Sequence, residues 1–220
     1  MRTLKSLRGM VVGVALATSL LMFAMPGVAF AKKTPELLTS AEQKELKEIL
    51  KHVKYEPSGV GGKPTILVSE ANVQIVNGAG STTSANGAGN LILGYDDAEN
   101  DDSEVVPVAP GEQTGSHNLI MGNSDHYHSY GSFVGGENNL DSAPNSIVVG
   151  EFNVAGAPSI VGGFENESQG LFSALFGQFN KTYGRMSSVL GGYGNAARGL
   201  QSSILGGEGI TENTPYGQSY

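Results

Sequence analysis

The sequence contains no cysteine and no tryptophan, and only 15% of its 220 residues are charged. Without cysteine the chain has no disulfide framework, thiolate zinc site, iron–sulfur cluster or thiol nucleophile. After Pro64 only three lysine or arginine residues occur, Lys181, Arg185 and Arg198, in a chain with 21 acidic residues. This excess of negative charge argues against nucleic acid or an anionic membrane as a partner.

Long hydrophobic runs are also scarce, since the one clear run lies between Met10 and Met25. Basic residues precede it and Ala29-Phe30-Ala31 follows it, which is the pattern of a secretory signal peptide. The run is shorter than the ~20 apolar residues of a membrane-spanning helix. We therefore predict that residues 1–31 are a signal peptide and that the mature chain has no transmembrane span. The chain is expected in the periplasm, on the cell surface or in the medium.

A single amphipathic helix, with a narrow coiled-coil-like stripe, is predicted over residues 32–57. Leu46, Ile49 and Leu50 recur at helical spacing, and Ser40 with Gln43 has the spacing of a capping box. One apolar stripe of this length is too little for stability in water, so the helix must dock on something. Residues 58–89 are predicted as a linker with two strands, Thr65–Val68 and Val73–Val76.

A repeat fills the rest of the chain, residues 90–212, before a short tail at 213–220. It has the pattern Ser, apolar, apolar, any residue, Gly, with looser copies at Asn90–Gly94 and Asn118–Gly122. Its closing glycines are 14, 13, 14, 15 and 15 residues apart. The six strict copies are Ser132–Gly136, Ser146–Gly150, Ser159–Gly163, Ser173–Gly177, Ser188–Gly192 and Ser203–Gly207. Such a period is typical of a solenoid.

An asparagine stands three residues after five of the six closing glycines. Both residue types tolerate the left-handed backbone of sharp corners, so each period predicts one rung with two short strands and two corners. The predicted corner residues are Gly136, Asn139, Gly150, Asn153, Gly163, Asn166, Gly177, Asn180, Gly192, Asn195 and Gly207. The predicted fold class is all-β, a parallel β-solenoid of about 14-residue repeats with a short N-terminal helix.

The strand pattern also predicts self-association. Neighbouring strand residues point to opposite faces, so the apolar pairs Ile147-Val148 and Val189-Leu190 each place one side chain inside the coil and one outside. A rung of about 14 residues encloses little core of its own. We therefore expect three coils to bury their outer apolar stripes against one another as a homotrimer.

The Gly-x-x-Asn corners, the Ser-apolar-apolar strands and the period resemble the heads of YadA-like trimeric autotransporter adhesins over residues 90–212. The resemblance implies a left-handed parallel β-roll trimer. Segments 72–78, 86–95 and 114–120 also resemble uncharacterised secreted bacterial proteins with β-roll repeats, which imply no activity. The fold transfers across such a resemblance more safely than the function.

Two groups of polar residues are candidate metal ligands. Asp97, Glu99, Asp101 and Asp102 cluster in an acidic segment, where carboxylates suit calcium. The alternative is a solvated loop, since the glycine and the spacing of an EF-hand are missing. His117, Asp125, His126 and His128 are weaker candidates for zinc or nickel, and their alternative is a polar surface loop. No cofactor is predicted.

Aromatic residues near the predicted corners, among them Phe152, Phe164, Phe179 and Tyr193, are candidates for contact with an extracellular glycan or protein. The alternative is that they shield the corner backbone. No lipase elbow, phosphate-binding loop or metalloprotease motif occurs, so we predict a protein that is not an enzyme. The predicted function is a structural or adhesive module for cell-surface or matrix attachment. The alternatives are a polysaccharide-active or polysaccharide-binding β-helix and a self-assembling fibre subunit.

Overall fold

The computed structural model describes residues 38–97 and 113–220. The predicted signal peptide and the candidate ligands Glu99, Asp101 and Asp102 therefore lie outside the described residues. The chain divides into two compact units, one ending at Ala71 and the other beginning at Asn72. Among the described residues, no helix is long and apolar enough to span a membrane.

The first unit contains helix α1 (Ser40–His52) and a two-stranded antiparallel sheet of β1 (Val53–Glu56) and β2 (Thr65–Val68), with a short 3-10 turn at Val60–Gly62 between the strands. The strand predicted at Thr65–Val68 is confirmed. No residue of α1 is buried, so the apolar side chains Leu46, Ile49 and Leu50 remain exposed.

The bounds of this helix differ from the prediction at both ends. Its capping box is formed by Thr39 and Glu42, one residue earlier than the predicted pair Ser40 and Gln43. The Glu42 carboxylate accepts a hydrogen bond from the Thr39 backbone N–H at 2.7 Å. A charged carboxylate makes a stronger bond of this kind than the neutral Gln43 side chain of the predicted pair. The helix ends at His52 because Val53–Glu56 pair with Thr65–Val68 as a hairpin.

The second unit is a parallel β-solenoid of about seven turns, which confirms the predicted fold class; its left-handed sense stays a prediction. Each turn supplies one strand to a nine-stranded sheet, the major sheet, and one to a seven-stranded sheet, the minor sheet. The major sheet consists of β3 (Leu91–Leu93), β4 (Leu119–Asn123), β6 (Phe133–Glu137), β8 (Ile147–Glu151), β10 (Ser159–Phe164), β12 (Ser173–Gln178), β14 (Ser188–Val189), β16 (Ser203–Ile204) and β18 (Gln218–Ser219). The minor sheet consists of β5 (His126–Tyr127), β7 (Leu140–Asp141), β9 (Val154–Ala155), β11 (Glu167–Ser168), β13 (Lys181–Thr182), β15 (Ala196–Ala197) and β17 (Thr211–Glu212).

The parallel register places equivalent residues of successive turns directly over one another. Ile160, for example, pairs with Ile147 on one side and with Ala174 on the other. The interior is a column of fully buried aliphatic side chains from the major sheet, Ile120, Val134, Val148, Val161, Leu175, Val189 and Ile204. The minor sheet faces this column mostly with small or polar residues, which keeps the coil thin.

Two segments differ from the predicted organisation. Val73–Val76, predicted as a strand, has no regular secondary structure, since its apolar residues find no neighbouring strand to pair with. Residues 213–220, predicted as a tail, continue the solenoid because β18 pairs with β16.

Candidate functional site

A ladder of buried asparagines runs along the corner that follows the major sheet. Its members, which we call the asparagine ladder, are Asn139, Asn153, Asn166, Asn180 and Asn195, each at most 1% exposed. The side-chain oxygen of each accepts the backbone N–H of the equivalent residue one turn later at 2.8–3.1 Å. The ladder ends at Ile210. Its backbone N–H donates to the Asn195 side-chain oxygen, but its side chain has no amide to continue the series.

The amide nitrogens of the ladder bind the corner backbone. Asn166 Nδ2 donates to the carbonyls of Gly162 in its own turn at 3.1 Å and Gly177 in the next turn at 2.8 Å. Each buried amide therefore adds hydrogen bonds to backbone carbonyls of two successive turns at the corner.

These asparagines were predicted as left-handed corner residues, and that interpretation is wrong. None has a positive φ; the left-handed residue is the one before, such as Asn138, Phe152, Glu165 or Phe179. The closing glycines do have positive φ, for example 112° at Gly150. A Cβ there would also collide with the Gly163 carbonyl oxygen of the next turn, so glycine is required for both reasons.

The ladder begins on two aspartates. Asp125 Oδ1 accepts the backbone N–H and the amide of Asn139, both at 3.0 Å, and Asp96 Oδ1 accepts the backbone N–H of Asp125 at 3.0 Å. Asp96 Oδ2 receives two further donors, Gln113 Nε2 at 3.0 Å and the Tyr127 hydroxyl at 3.3 Å. Burial raises the pKa of Asp125 to about 6 against the hydrogen bonds from Asn139. The pKa of Asp96 is also raised by burial, and hydrogen bonds oppose the rise.

The histidine candidates do not surround a common centre. His117 Nε2 lies 3.2 Å from the backbone N of Asn77, from which it accepts a hydrogen bond, and its Nδ1 lies 3.0 Å from the carbonyl oxygen of Thr82, so both ring nitrogens hold the segment before the solenoid. His126 is buried in β5, whereas His128 is half-buried beyond it. Within residues 38–97 and 113–220 no three His, Asp or Glu side chains are arranged to hold a metal ion. Asp97, the one described member of the acidic cluster, uses its backbone to contact Asn123 and Ser124.

The four candidate aromatic residues form a continuous row, in which Phe152 and Phe164 are half-buried and Phe179 and Tyr193 are exposed. Phe152 and Phe164 have centroids 6.0 Å apart and edge-to-face geometry, and Phe164 and Phe179 are 5.6 Å apart. Phe179 and Tyr193 follow at 5.2 Å. The row zigzags because Phe164 and Tyr193 occupy one register position and Phe152 and Phe179 the neighbouring one.

A groove of about 390 Å³ lies beside this row. Phe152 and Phe179 form part of its wall, and Glu165, Glu167 and Lys181 add charge. The Lys181 ammonium contacts the Glu167 carboxylate at 2.6 Å, and this contact raises the pKa of Lys181. The groove thus combines aromatic surface with the Lys181–Glu167 pair and a second carboxylate, Glu165, which can offer stacking and hydrogen bonds to a polar ligand such as a sugar chain or peptide.

The outer face of the major sheet carries an unbroken apolar stripe. In turns β4 to β10 the stripe is formed by the register column Leu119, Phe133, Ile147 and Ile160. In the later turns this register position holds Ala174, Ser188 and Ser203. The outward apolar residue of those turns lies two positions further along the chain, at Phe176, Leu190 and Leu205. From Ile147 onward, five members of the stripe have 37–57% of their surface exposed. They are Ile147, Ile160, Phe176, Leu190 and Leu205. We call these five residues the outer stripe.

The predicted alternation of the apolar pairs is confirmed. Val148 is fully buried beside exposed Ile147, and Val189 is fully buried beside exposed Leu190. By contrast, the sequence did not predict that Asp96, Gln113 and Tyr127 are partners of the first ladder residues. The one sequence signal for this end of the ladder is the position of its two aspartates. Asp96 follows the closing glycine Gly94 by two residues, and Asp125 follows the closing glycine Gly122 by three.

No family model matches the chain, and neither the curated proteins nor the solved structures contain a match.

Proposed function

We propose that the mature chain is an exported, non-enzymatic module for attachment to a surface or matrix, assembled as a homotrimer through the outer stripe. The observation that carries the proposal is the stripe itself, since one large apolar side chain per turn remains in water in a single copy. An exposed apolar patch of this continuity marks an interaction site. The resemblance to adhesin heads supports three copies.

Burial of the stripe between copies stabilises the assembly. Removing apolar surface from water contributes about 25 cal/mol per Å², so several half-exposed large side chains per copy supply a substantial driving force. The exposed apolar residues of α1, Leu46, Ile49 and Leu50, need the same kind of cover. A 13-residue helix is marginal alone in water, and we propose that α1 packs against its counterparts in the other copies.

The groove beside the aromatic row provides the contact surface in this proposal. It lies against the minor sheet, away from the outer stripe, so assembly through the stripe leaves three grooves open. Three weak identical sites on one particle raise the avidity without any strong single site. The groove also favours the second candidate, a polysaccharide-binding or polysaccharide-active β-helix, because Glu165 and Glu167 are both in its wall.

The experiment is binding to an immobilised panel of glycans and matrix proteins by the full mature chain and by two variants. Ile160→Lys places a charge in the outer stripe, and Val154→Lys places the same charge on the outer face of the minor sheet, in the groove. We expect I160K to lose avidity while each single contact persists, and V154K to lose the contact itself. Absence of binding to every panel member would contradict the attachment proposal, and turnover of a glycan would establish the enzymatic candidate.

A further inference from the structure

Asp125 occupies the register of the asparagine ladder although it is an acid. It precedes Asn139 by one turn, and its Oδ1 accepts the Asn139 backbone N–H at 3.0 Å. Asn139 in turn accepts the backbone N–H of Asn153 through its own Oδ1 at 3.1 Å. The carboxyl group thus replaces an amide in a chain of otherwise identical bonds, and Asp125 is fully buried.

The second carboxyl oxygen of Asp125 lies where the other turns have an amide nitrogen. A Cβ on Gly122 would lie 2.7 Å from Asp125 Oδ2, just as a Cβ on Gly192 would lie 2.7 Å from Asn195 Nδ2. Each of these two positions is also next to the glycine carbonyl of the following turn, Gly136 in the first case and Gly207 in the second. Asn195 Nδ2 donates to that Gly207 carbonyl at 3.0 Å.

An ionised carboxylate is unsuited to this position, because it has no hydrogen to donate to a carbonyl oxygen. Asp125 Oδ2 is buried and receives no hydrogen bond from the described residues. The nearby charges are also unfavourable: Asp96 lies one turn before it and Glu137 one turn after it, and both raise the pKa of Asp125. His126, the next residue, affects Asp96 in the opposite direction, and Tyr127 donates to Asp96.

We propose that Asp125 is built into the ladder as a neutral carboxylic acid whose Oδ2–H donates toward the Gly136 carbonyl, so that the first turns of the solenoid are held by a proton. Asp96 has a different role. Its two oxygens accept three donors, so it serves the ladder as a hydrogen-bond acceptor.

The proton makes the stability of these turns pH-dependent with a defined sign. Because the folded state holds the proton more tightly than the unfolded chain, stability is greatest below the ordinary titration range of an aspartate. It falls as the pH rises through that range to about 6, and it is then constant. The contribution of Asp125 to the stability of the amino-terminal turns is therefore complete in acid, decreases through mildly acidic pH and is lost before neutrality.

The test compares the melting temperatures of the wild type, Asp125→Asn and Asp96→Asn across pH 4 to pH 8. Asparagine supplies the missing hydrogen at every pH, so we expect D125N to raise the melting temperature at pH 7.5 by several degrees and to change little at pH 4. D96N is expected to lower it at pH 7.5, because it replaces an accepting carboxylate oxygen by an amide NH2 group that faces the donors of Gln113 and Tyr127. Asp141, a second buried acid whose pKa is raised by burial, is present in all three proteins and cancels from the comparison.

Two further measurements distinguish an effect of the Asp125 proton from a change in stability that does not depend on pH. Asn153→Asp introduces the same acid into a central turn, and it should lower the melting temperature more at pH 7.5 than at pH 4.5. The infrared carbonyl band of a protonated carboxyl group should be present in the wild type at pH 5 and weaker in D125N. A D125N protein with the wild-type pH profile, or one less stable at pH 7.5, would overturn the proposal.

Discussion

The side-chain oxygen of Asn153 accepts the backbone N–H of Asn166 at 3.1 Å, and the Asn166 oxygen accepts that of Asn180 at 3.0 Å. These bonds join three turns of the solenoid at a corner where the strands of the two sheets are interrupted. Because the amides are fully buried, each bond forms where water cannot replace it, and its loss leaves an unpaired group inside the protein. The ladder therefore fixes the position of each turn relative to the next.

Replacement of Asn166 by Ala should destabilise the solenoid strongly. The variant removes the acceptor of the Asn180 backbone N–H and the amide donor to the carbonyls of Gly162 and Gly177, and an unsatisfied buried group costs about 1–3 kcal/mol. We expect a loss of about 3 kcal/mol or more in the free energy of unfolding, measured by urea denaturation. The control is Asn138→Gly at a left-handed position with φ 55°, which should change the free energy by less than about 0.5 kcal/mol. Equal effects of the two variants would contradict this role for the ladder.

The closing glycines should tolerate no side chain. Gly163 has φ 119°, and a Cβ there would collide with the Gly177 carbonyl and lie 2.9 Å from Asn166 Nδ2. We expect Gly163→Ala to cost at least about 2 kcal/mol or to prevent folding, since the strain and the collision add. Gly206→Ala is the matched variant, because nothing lies within 4 Å of a Cβ at that position, and it should melt within about 2 °C of the wild type. A tolerated G163A would show that the turns are less tightly stacked than described.

The aromatic row should contribute a measurable pairwise energy. Phe164 contacts Phe152 and Phe179 in edge-to-face geometry, and such a pair contributes about 0.5–1.5 kcal/mol beyond its buried area. A double-mutant cycle of Phe164→Leu and Phe179→Leu should give a coupling energy in that range. The control pairs F164L with Phe172→Leu, at an exposed phenylalanine of the opposite corner, for which the coupling should be zero within error. If F164L and F179L are additive, the row is free to serve only as a contact surface.

The cap of α1 should respond to pH through Glu42. Its carboxylate accepts the Thr39 backbone N–H at 2.7 Å, and this bond lowers the pKa of Glu42 below the ordinary value of a glutamate. A lowered pKa means that the cap is present above the titration range of an unfolded glutamate and is lost as the pH falls through the folded value. The Thr39 amide proton should therefore shift in NMR spectra with a midpoint below that of an ordinary glutamate. Glu42→Gln should abolish the shift; a midpoint at the ordinary value would contradict the capping bond.

Periodicity made much of this fold predictable. The spacing of the closing glycines located the strands of the major sheet, and the apolar pairs gave the inward and outward faces, because a strand alternates with a period of two regardless of its neighbours. The period also predicted a second short strand in each rung, but the bounds of these minor-sheet strands could not be located, since each strand has only two residues and most of its inward-facing side chains are small or polar. Phe152 and Phe179 have no local preference for a left-handed backbone, and the turns stacked on either side impose it.

The candidate site was less predictable because it, too, depends on contacts between stacked turns that are distant in sequence. An asparagine three residues after a glycine has the sequence pattern of an exposed corner, and only the stacking of equivalent turns shows that its side chain points inward to join two of them. Asp125 is the sharper case. Its neighbours in sequence are two histidines and a tyrosine, which made it a weak candidate for a metal ligand, whereas its neighbours in space are the amide and the carbonyl groups of the ladder.

Burial of the outer stripe between copies is the central claim, and the molar mass of the signal-free chain tests it most directly. Light scattering over a range of concentrations should give a constant mass of three chains for the wild type, and a mass of one chain for Ile160→Lys with an unchanged strand content. A wild-type mass of one chain at every concentration would contradict the claim, because the stripe would then remain in water. A mass that grows with concentration would contradict the closed trimer and indicate a fibre.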